Sequence, residues 1–496
     1  METDLWGKSM LSIKRLLYIV LIVVALGGIF IFFSIFAGRP AGTGSQRAPA
    51  PEVEFLETVQ VDEGDKPKVW LLGNSEEEPY GTIYANVKTL CNDIQILLAG
   101  EGTLDGATEG DIVMICSPSV SAYADPQELE GFIAKGGRVI LAAGLEDRDS
   151  GLLKVFGIRK SSSGDVSNEL VFEKPLLPIQ PEEAACDAGC ACARIEVNDD
   201  ASVYIRDKES GVPVLYTYPW QEGCVCLING TFLKDMRYMG MLTGAIGALL
   251  PDFLYPVLGV KTAALDNFLA GSVESDEFCS QVYGYSAVGF VRDVVWPAFQ
   301  GISLRTNTPY TVCTKEDSVF VEAVGRSILQ FGGELAYTGS GREDALDLFP
   351  VSTRGNFLED GGFLSAYSVL GAYGTVAHAF DIDGLITADG GASWDKVKKE
   401  LGAFESEILA RTAWLEGRTL SQVEDIFKSY RSMDYGWTKS GDSIELSCSS
   451  AAKGQAFFCH TESSIIDARG LTFEDLGNGY YLLRVQENHG SITLGK

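Results

Sequence analysis

The first strong signal along the chain is Leu16 to Ala37, LLYIVLIVVALGGIFIFFSIFA, a run without a charged residue. At ~22 residues it reaches roughly 33 Å as a helix, enough to cross a bilayer core. Lys8, Lys14 and Arg15 precede it, and only Arg39 and Arg47 follow within reach. That asymmetry predicts a single-pass anchor: a cytoplasmic tail at 1–15, a membrane span at 16–37, and the bulk outside the cytoplasm. The run exceeds the length of a signal-peptide core, which argues against cleavage. Residues 38–65 read as a linker, most plainly in RPAGTGSQRAPAP at Arg39–Pro51, which has no apolar periodicity.

Beyond the linker, continuous apolar runs alternate with helical spacing. Val69–Leu72 reads as a buried strand, Gly81–Asn92 as a helix (Ile83, Val87, Leu90), and DIVMIC at Asp111–Cys116 as a second strand. Asp125-Pro126-Gln127-Glu128 is a helix start, with an Asp cap and Pro at the first helical position. Gly136-Gly137 ends that helix, and Arg138–Ala142 is the next strand. Short alternating strands follow at Ser202–Ile205, Val212–Tyr216 and Cys224–Ile228, then a helix at Phe232–Leu250. This alternation predicts an α/β domain with a parallel sheet over residues 66–254. Its layout resembles the flavodoxin-like or glutamine-amidotransferase-like class. The amidotransferase chemistry does not carry over, because Cys116 sits in I-C-S-P-S and lacks the small flanking residues of a nucleophile elbow.

Residues 255–435 repeat the alternation. Strands are predicted at Val260–Leu265, Tyr310–Cys313, Gly333–Tyr337 and Gly374–Phe380. Helices are predicted at Phe290–Ile302, kinked or broken at Pro297, and at Val319–Phe331, Phe363–Leu370, Trp394–Leu409 and Leu420–Tyr430, the last with a Ser421/Glu424 capping pattern. Residues 436–496 change to short alternating strands at Ile444–Cys448, Gln455–Cys459 and Tyr480–Val485, a small β module.

Charge narrows the partners. Thirty-nine basic against 68 acidic residues give a net −29, which repels phosphate backbones and excludes nucleic acid. The surplus serves solubility outside the cell or attracts a cationic polymer. The 11 cysteines are an odd number. Cys186, Cys190 and Cys192 lie close together, and Cys224 and Cys226 share one face of a strand. Outside the membrane this suggests a local disulfide cluster, with free thiols or a thiolate zinc site as alternatives. Cys448 and Cys459 are a further candidate bridge.

Asp266-Asn267-Phe268, after the strand Val260–Leu265, resembles the Asp-Asp-Phe motif of polysaccharide deacetylases. His378-Ala379-Phe380-Asp381-Ile382-Asp383, then Ser393-Trp394 and Arg418-Thr419, resembles an uncharacterised bacterial family of membrane-anchored deacetylase-like proteins associated with Pel-type exopolysaccharide clusters. Val291–Pro297 and Tyr310-Thr311 fit the same order. The resemblance implies a deacetylase-like (β/α) barrel at 255–435. In polysaccharide deacetylases one Asp and two His hold a metal that activates water, a second Asp takes the proton, and a further His protonates the leaving amine. Asp266 matches the base. Asn267 stands where a metal-binding Asp is expected, and Thr338 and Arg342 stand where the two His would be. The chain has only 3 His: His378, His460 and His489.

The resemblance therefore implies a degenerate enzyme with no metal and no cofactor, which binds polysaccharide or serves as a scaffold in exopolysaccharide synthesis or export. Its partners would be the membrane, a cationic or partly deacetylated polysaccharide, and other proteins of that machinery. Asp266 and His378 are remnant catalytic candidates, and Phe268, Trp296, Tyr310, Asp381 and Asp383 are candidate sugar contacts. An active carbohydrate deacetylase or hydrolase, and a surface assembly protein without a sugar ligand, are the alternatives.

Overall fold

The computed structural model describes residues 54–147, 149–266, 273–314, 319–337, 353–354, 362–381 and 394–495. The expected tail and span at 1–37 lie outside them. Among the described residues no helix is long and apolar enough to cross a membrane.

The expected linker stops earlier than residue 65. Residues 55–65 run along the C-terminal β module: Leu56 N–H donates to the Ala451 carbonyl at 2.8 Å, and Asp65 N–H to the Trp437 carbonyl at 2.7 Å. Main-chain pairing to a sheet edge orders a segment that has no apolar period of its own.

The first sheet contains β1 (Lys68–Leu72), β2 (Leu97–Glu101), β3 (Ile112–Ile115), β4 (Arg138–Leu141), β5 (Ile158–Phe172), β6 (Glu183–Val197), β7 (Ser202–Asp207), β8 (Pro213–Trp220) and β9 (Gly223–Ile228). Its order is β2-β1-β3-β4-β9-β8-β7-β5-β6. The strands β2-β1-β3-β4-β9 are parallel, in the order of flavodoxin-like sheets. The other four add an antiparallel extension. The continuous apolar runs of β3 and β4 follow from burial on both faces. Helix α1 (Tyr80–Asp93) covers one face with Ile83, Val87 and Leu90. Helix α2 (Pro126–Ala134) covers the other with Leu129 and Ile133, and Asp125 caps it by accepting from the N–H groups of Gln127 and Glu128. Cys116 is fully buried and burial pushes its thiol far up, as expected of a packing residue.

Helix α3 (Gly240–Leu249) leads to β10 (Asp252–Val257), which pairs antiparallel with a C-terminal strand and so straddles the expected boundary at 254. The second sheet follows: β11 (Val260–Asp266), β12 (Tyr310–Thr314), β13 (Glu334–Tyr337), β14 (Thr353–Arg354), β15 (Thr375–Asp381) and the short β16 (Glu416–Gly417). Its order is β13-β12-β11-β15-β14, with β16 on β11, and its pairings are parallel. Among the described residues nothing pairs β13 with β14, so the expected barrel closure is not seen there; the fold is mixed α/β. Helices α4 (Trp296–Thr306), α5 (Val319–Gln330), α6 (Gly362–Tyr373), α7 (Trp394–Phe404) and α8 (Leu420–Ser432) accompany it. Pro297 lies within a longer helical stretch: Ala287–Phe290 and a π-helical turn at Val291–Val295 run directly into α4, so the regular hydrogen-bond ladder is interrupted immediately before the proline. The cap of α8 falls at Thr419, whose N–H donates to Gln422 Oε1 at 3.0 Å, rather than at Ser421.

The last part is a sandwich of two antiparallel sheets. One has the order β10-β19-β22-β21, with β19 (Ala456–Thr461), β21 (Leu471–Gly477) and β22 (Tyr480–Val485). The other has β17-β18-β23-β20, with β17 (Asp434–Ser440), β18 (Ser443–Ser449), β20 (Ile465–Arg469) and β23 (His489–Leu494).

Candidate functional site

The second sheet reverses its strand order between β11 and β15. From β11 the chain moves outward through β12 to β13, and it returns on the other side through β14 and β15. In open parallel sheets the crevice beyond the carboxyl ends of the strands at such a reversal is where ligands bind. The register there pairs Ala263 with His378, Leu265 with Phe380 and Asp266 with Asp381. Asp266 and Asp381 are thus neighbours on adjacent strands, whose backbones run about 5 Å apart, at the C-terminal edge. Thr314 of β12 and Tyr337 of β13 are the matching pair further along that edge. Phe268 and Asp383 lie outside the described residues, as do Asn267, Thr338 and Arg342.

His378 is not brought to this edge. It stands three residues before Asp381, roughly 10 Å back along the strand. Its side chain is 1% exposed, with its ring 3.9 Å from the Phe380 ring and 5.0 Å from that of Phe404. Burial holds its pKa well below 6.5, so the imidazole is neutral at physiological pH. His378 is a core residue, and the role of remnant acid does not suit it.

The aromatic candidates are also core residues. Trp296 is 4% exposed, and its indole N–H donates to Ser327 Oγ at 3.1 Å. Tyr310 is 2% exposed and lies edge-on to Phe299 and Phe380. Their spacing in sequence could not show this, since aromatic side chains fill cores as readily as they line grooves.

One titratable group escaped the sequence reading. Lys261, at the start of β11, is 2% exposed, and burial lowers its pKa to about 8. The signal was a lone cation inside the apolar run VKTAAL. It lies five residues from Asp266, roughly 17 Å from the C-terminal edge, and belongs to the core.

The expected disulfide cluster is not formed. The described cysteines carry no bridge, and Cys186 Sγ is 3.9 Å from Cys190 Sγ, about twice a disulfide bond length. The Cys186 thiol also donates to Tyr238 Oη at 3.7 Å. Cys190, Cys192 and Cys226 pack in the core, and Cys224 is half-buried. The neighbouring Cys186 thiol and burial push Cys190 up, and burial pushes Cys192 up to about 12. Here cysteine acts as a small hydrophobe. Among the described residues no group of three or more His, Cys, Asp or Glu is placed to hold a metal.

The metal of the deacetylase pattern does not fit the donors present. His460 and His489 belong to β19 and β23 of the sandwich, and His378 is buried in the core. A two-imidazole site at the β11–β15 edge cannot be assembled from them.

Residues 111–318 match the family described as "Uncharacterised protein conserved in bacteria" (DUF2194). No curated protein matches the chain. Among solved structures, the chain is similar to Agd3, titled a novel carbohydrate deacetylase, at 8% identity and a TM-score of 0.48, covering 87% of this chain and 99% of that one. It is also similar to a β-galactosidase from Bacillus circulans sp. alkalophilus (15% identity, TM-score 0.26, 34% of this chain) and spans only 30% of that enzyme's length. A putative ThuA-like protein from Bacteroides uniformis is similar at 10% identity and a TM-score of 0.30, covering 39% of this chain and 94% of its own.

Proposed function

We propose that this chain is a carbohydrate-binding protein whose ligand lies at the C-terminal edge of β11 and β15, and that it performs no metal-assisted hydrolysis there. The observation that carries the reading is the register that sets Asp266 beside Asp381 where the strand order reverses. Adjacent carboxylates accept hydrogen bonds from sugar hydroxyls and pair with the ammonium of a deacetylated amino sugar. The likeness of Asp266-Asn267-Phe268 to the first deacetylase motif supports a sugar ligand. Asn267, Thr338 and Arg342 support binding without turnover, since none of them replaces the anionic or imidazole ligand of the pattern. The uncharged stretch 16–37 holds the chain in a membrane with its bulk outside, where it serves the synthesis or export of an exopolysaccharide.

The test is calorimetric titration of the full-length chain, in detergent micelles, with hexosamine oligomers that are fully N-acetylated or fully deacetylated. The deacetylated oligomer is expected to bind more tightly, and Asp266→Asn with Asp381→Asn to weaken it by about ten-fold or more. Unchanged binding in the double variant removes the reading. Two carboxylate residues on adjacent strands are also the makings of a general acid–base pair. Acetate release or chain cleavage by the native protein, lost on Asp266→Ala, would establish an enzyme instead.

A further inference from the structure

The antiparallel extension of the first sheet splays open. In the sheet order β6 neighbours β5 and not β7, and β5 reaches β7 only at Leu170–Phe172. The wedge between the start of β5, the end of β6 and β7 is a cleft of about 780 Å³. Four cations line it, Arg159, Lys160, Arg194 and Arg206, against two carboxylates, Glu196 and Asp199. The whole chain has the opposite balance, 39 basic to 68 acidic residues. An acidic surface repels anions, so a cleft of reversed sign within it focuses them at one place.

We propose that this cleft binds a linear acidic polysaccharide through the carboxylates of uronate sugars. Arg159 and Lys160 are available for exchange. Arg159 pairs with Asp199 at 3.3 Å and Lys160 with Glu196 at 3.0 Å, and all four side chains are more than half exposed. Exposed pairs of this kind hold weakly, and a ligand carboxylate can take the place of the protein's own. Arg206 is fixed: its Nε donates to Glu173 at 2.9 Å and its Nη1 to the Gly211 carbonyl at 3.0 Å. Glu173 already matches that charge, so Arg159 and Arg194 supply the forked donors suited to carboxylates. The hydroxyls of Ser161, Ser162 and Ser210 at the same cleft match a ligand with hydroxyls on each ring. None of the described lining residues is aromatic. Single-stranded nucleic acid, which such sites hold by base stacking, is therefore the poorer fit. This site is independent of the Asp266/Asp381 edge and takes the opposite charge.

The experiment measures binding of polygalacturonate oligomers by the full-length chain in detergent micelles, with dextran oligomers and a single-stranded oligonucleotide as comparisons. Polygalacturonate is expected to bind more tightly than either, and to weaken as salt rises. Arg159→Ala with Arg194→Ala should weaken binding at least about ten-fold, two charge-assisted contacts being lost. Arg159→Lys with Arg194→Lys keeps the charge but loses the forked donors, so its binding should fall between that of the native chain and that of the double Ala variant, and Asp266→Asn with Asp381→Asn should leave it unchanged. Dextran or the oligonucleotide binding as tightly as polygalacturonate overturns the proposal. So does unaltered binding by the double Ala variant with a native circular dichroism spectrum.

Discussion

Two buried bases carry the pH dependence that single residues impose on this fold. His378 and His460 both have pKa values held below 6.5, in each case by burial first. As pH falls through 6.5 the unfolded chain takes up protons that the folded chain refuses, so stability drops with falling pH. Urea midpoints should therefore decline from neutral to mildly acidic pH, and His378→Leu should remove part of that decline. A slope unchanged by the substitution would show that His378 is not the cause. Lys261 acts at the other end of the scale. Its folded pKa of about 8 lies below its ordinary 10.5, so the folded state bears the cost of a buried cation at neutral pH. Between those two values the unfolded chain holds more protons, and stability rises with pH. Lys261→Met should be more stable than the native chain by up to about 3 kcal/mol at neutral pH, an advantage that shrinks above pH 8. A destabilised Met variant would mean that Lys261 makes contacts outweighing its burial.

At the scale of elements, the crossing of α3 and α6 decides how the first two parts meet. A Cβ at Gly240 would stand 2.2 Å from the Ser368 carbonyl oxygen, a backbone atom that cannot swing away. The Gly240 N–H donates to Ser368 Oγ at 2.9 Å, and Thr243 Oγ1 donates to the Gly371 carbonyl at 3.2 Å, so the contact is close along its length. Gly240→Ala should cost about 1–3 kcal/mol in chemical denaturation. Gly402, in α7, has nothing within 4 Å of its added Cβ, and Gly402→Ala should gain up to about 1 kcal/mol from helix propensity. Equal effects at the two sites would refute the steric account. Local signals like these were the legible ones. DIVMIC and Asp125-Pro126 read correctly because a buried parallel strand and a capped helix are written within a few residues. The neighbouring of Asp266 and Asp381 was not legible, since it is set by pairing across more than a hundred residues of intervening chain. Trp296, Tyr310 and most of the thiols are packing residues, which composition does not reveal because it does not show which face of an element is covered.

Two expectations belong to the molecule as a whole. If the stretch 16–37 anchors the chain with its bulk outside, protease added to intact cells should remove the folded part while a cytoplasmic control survives; equal protection of both would reverse the orientation. The second concerns the sandwich, which cannot be an independent appendage. One of its strands, β10, comes from residues ahead of the second sheet and pairs with β19 from Asp252–Thr461 to Val257–Ala456. Val260 and Ala264 of β11, Ala377 and Ala379 of β15, and Phe427 and Tyr430 of α8 share one core with Tyr435, Leu446, Phe457 and Leu483 of the sandwich. The same region reaches the first part: Tyr435 Oη donates to the Ile94 carbonyl at 3.1 Å, and Arg431 pairs with Asp93 at 2.7 Å. Removing residues 434–496 would uncover that apolar face and leave the edge of β10 without its partner, a template for aggregation. A chain ending at Met433 should therefore be insoluble, or should elute as aggregates in size-exclusion chromatography. A monomeric, cooperatively unfolding fragment would show instead that the parallel sheet covers its own lower face, and that the C-terminal module is a detachable binding unit.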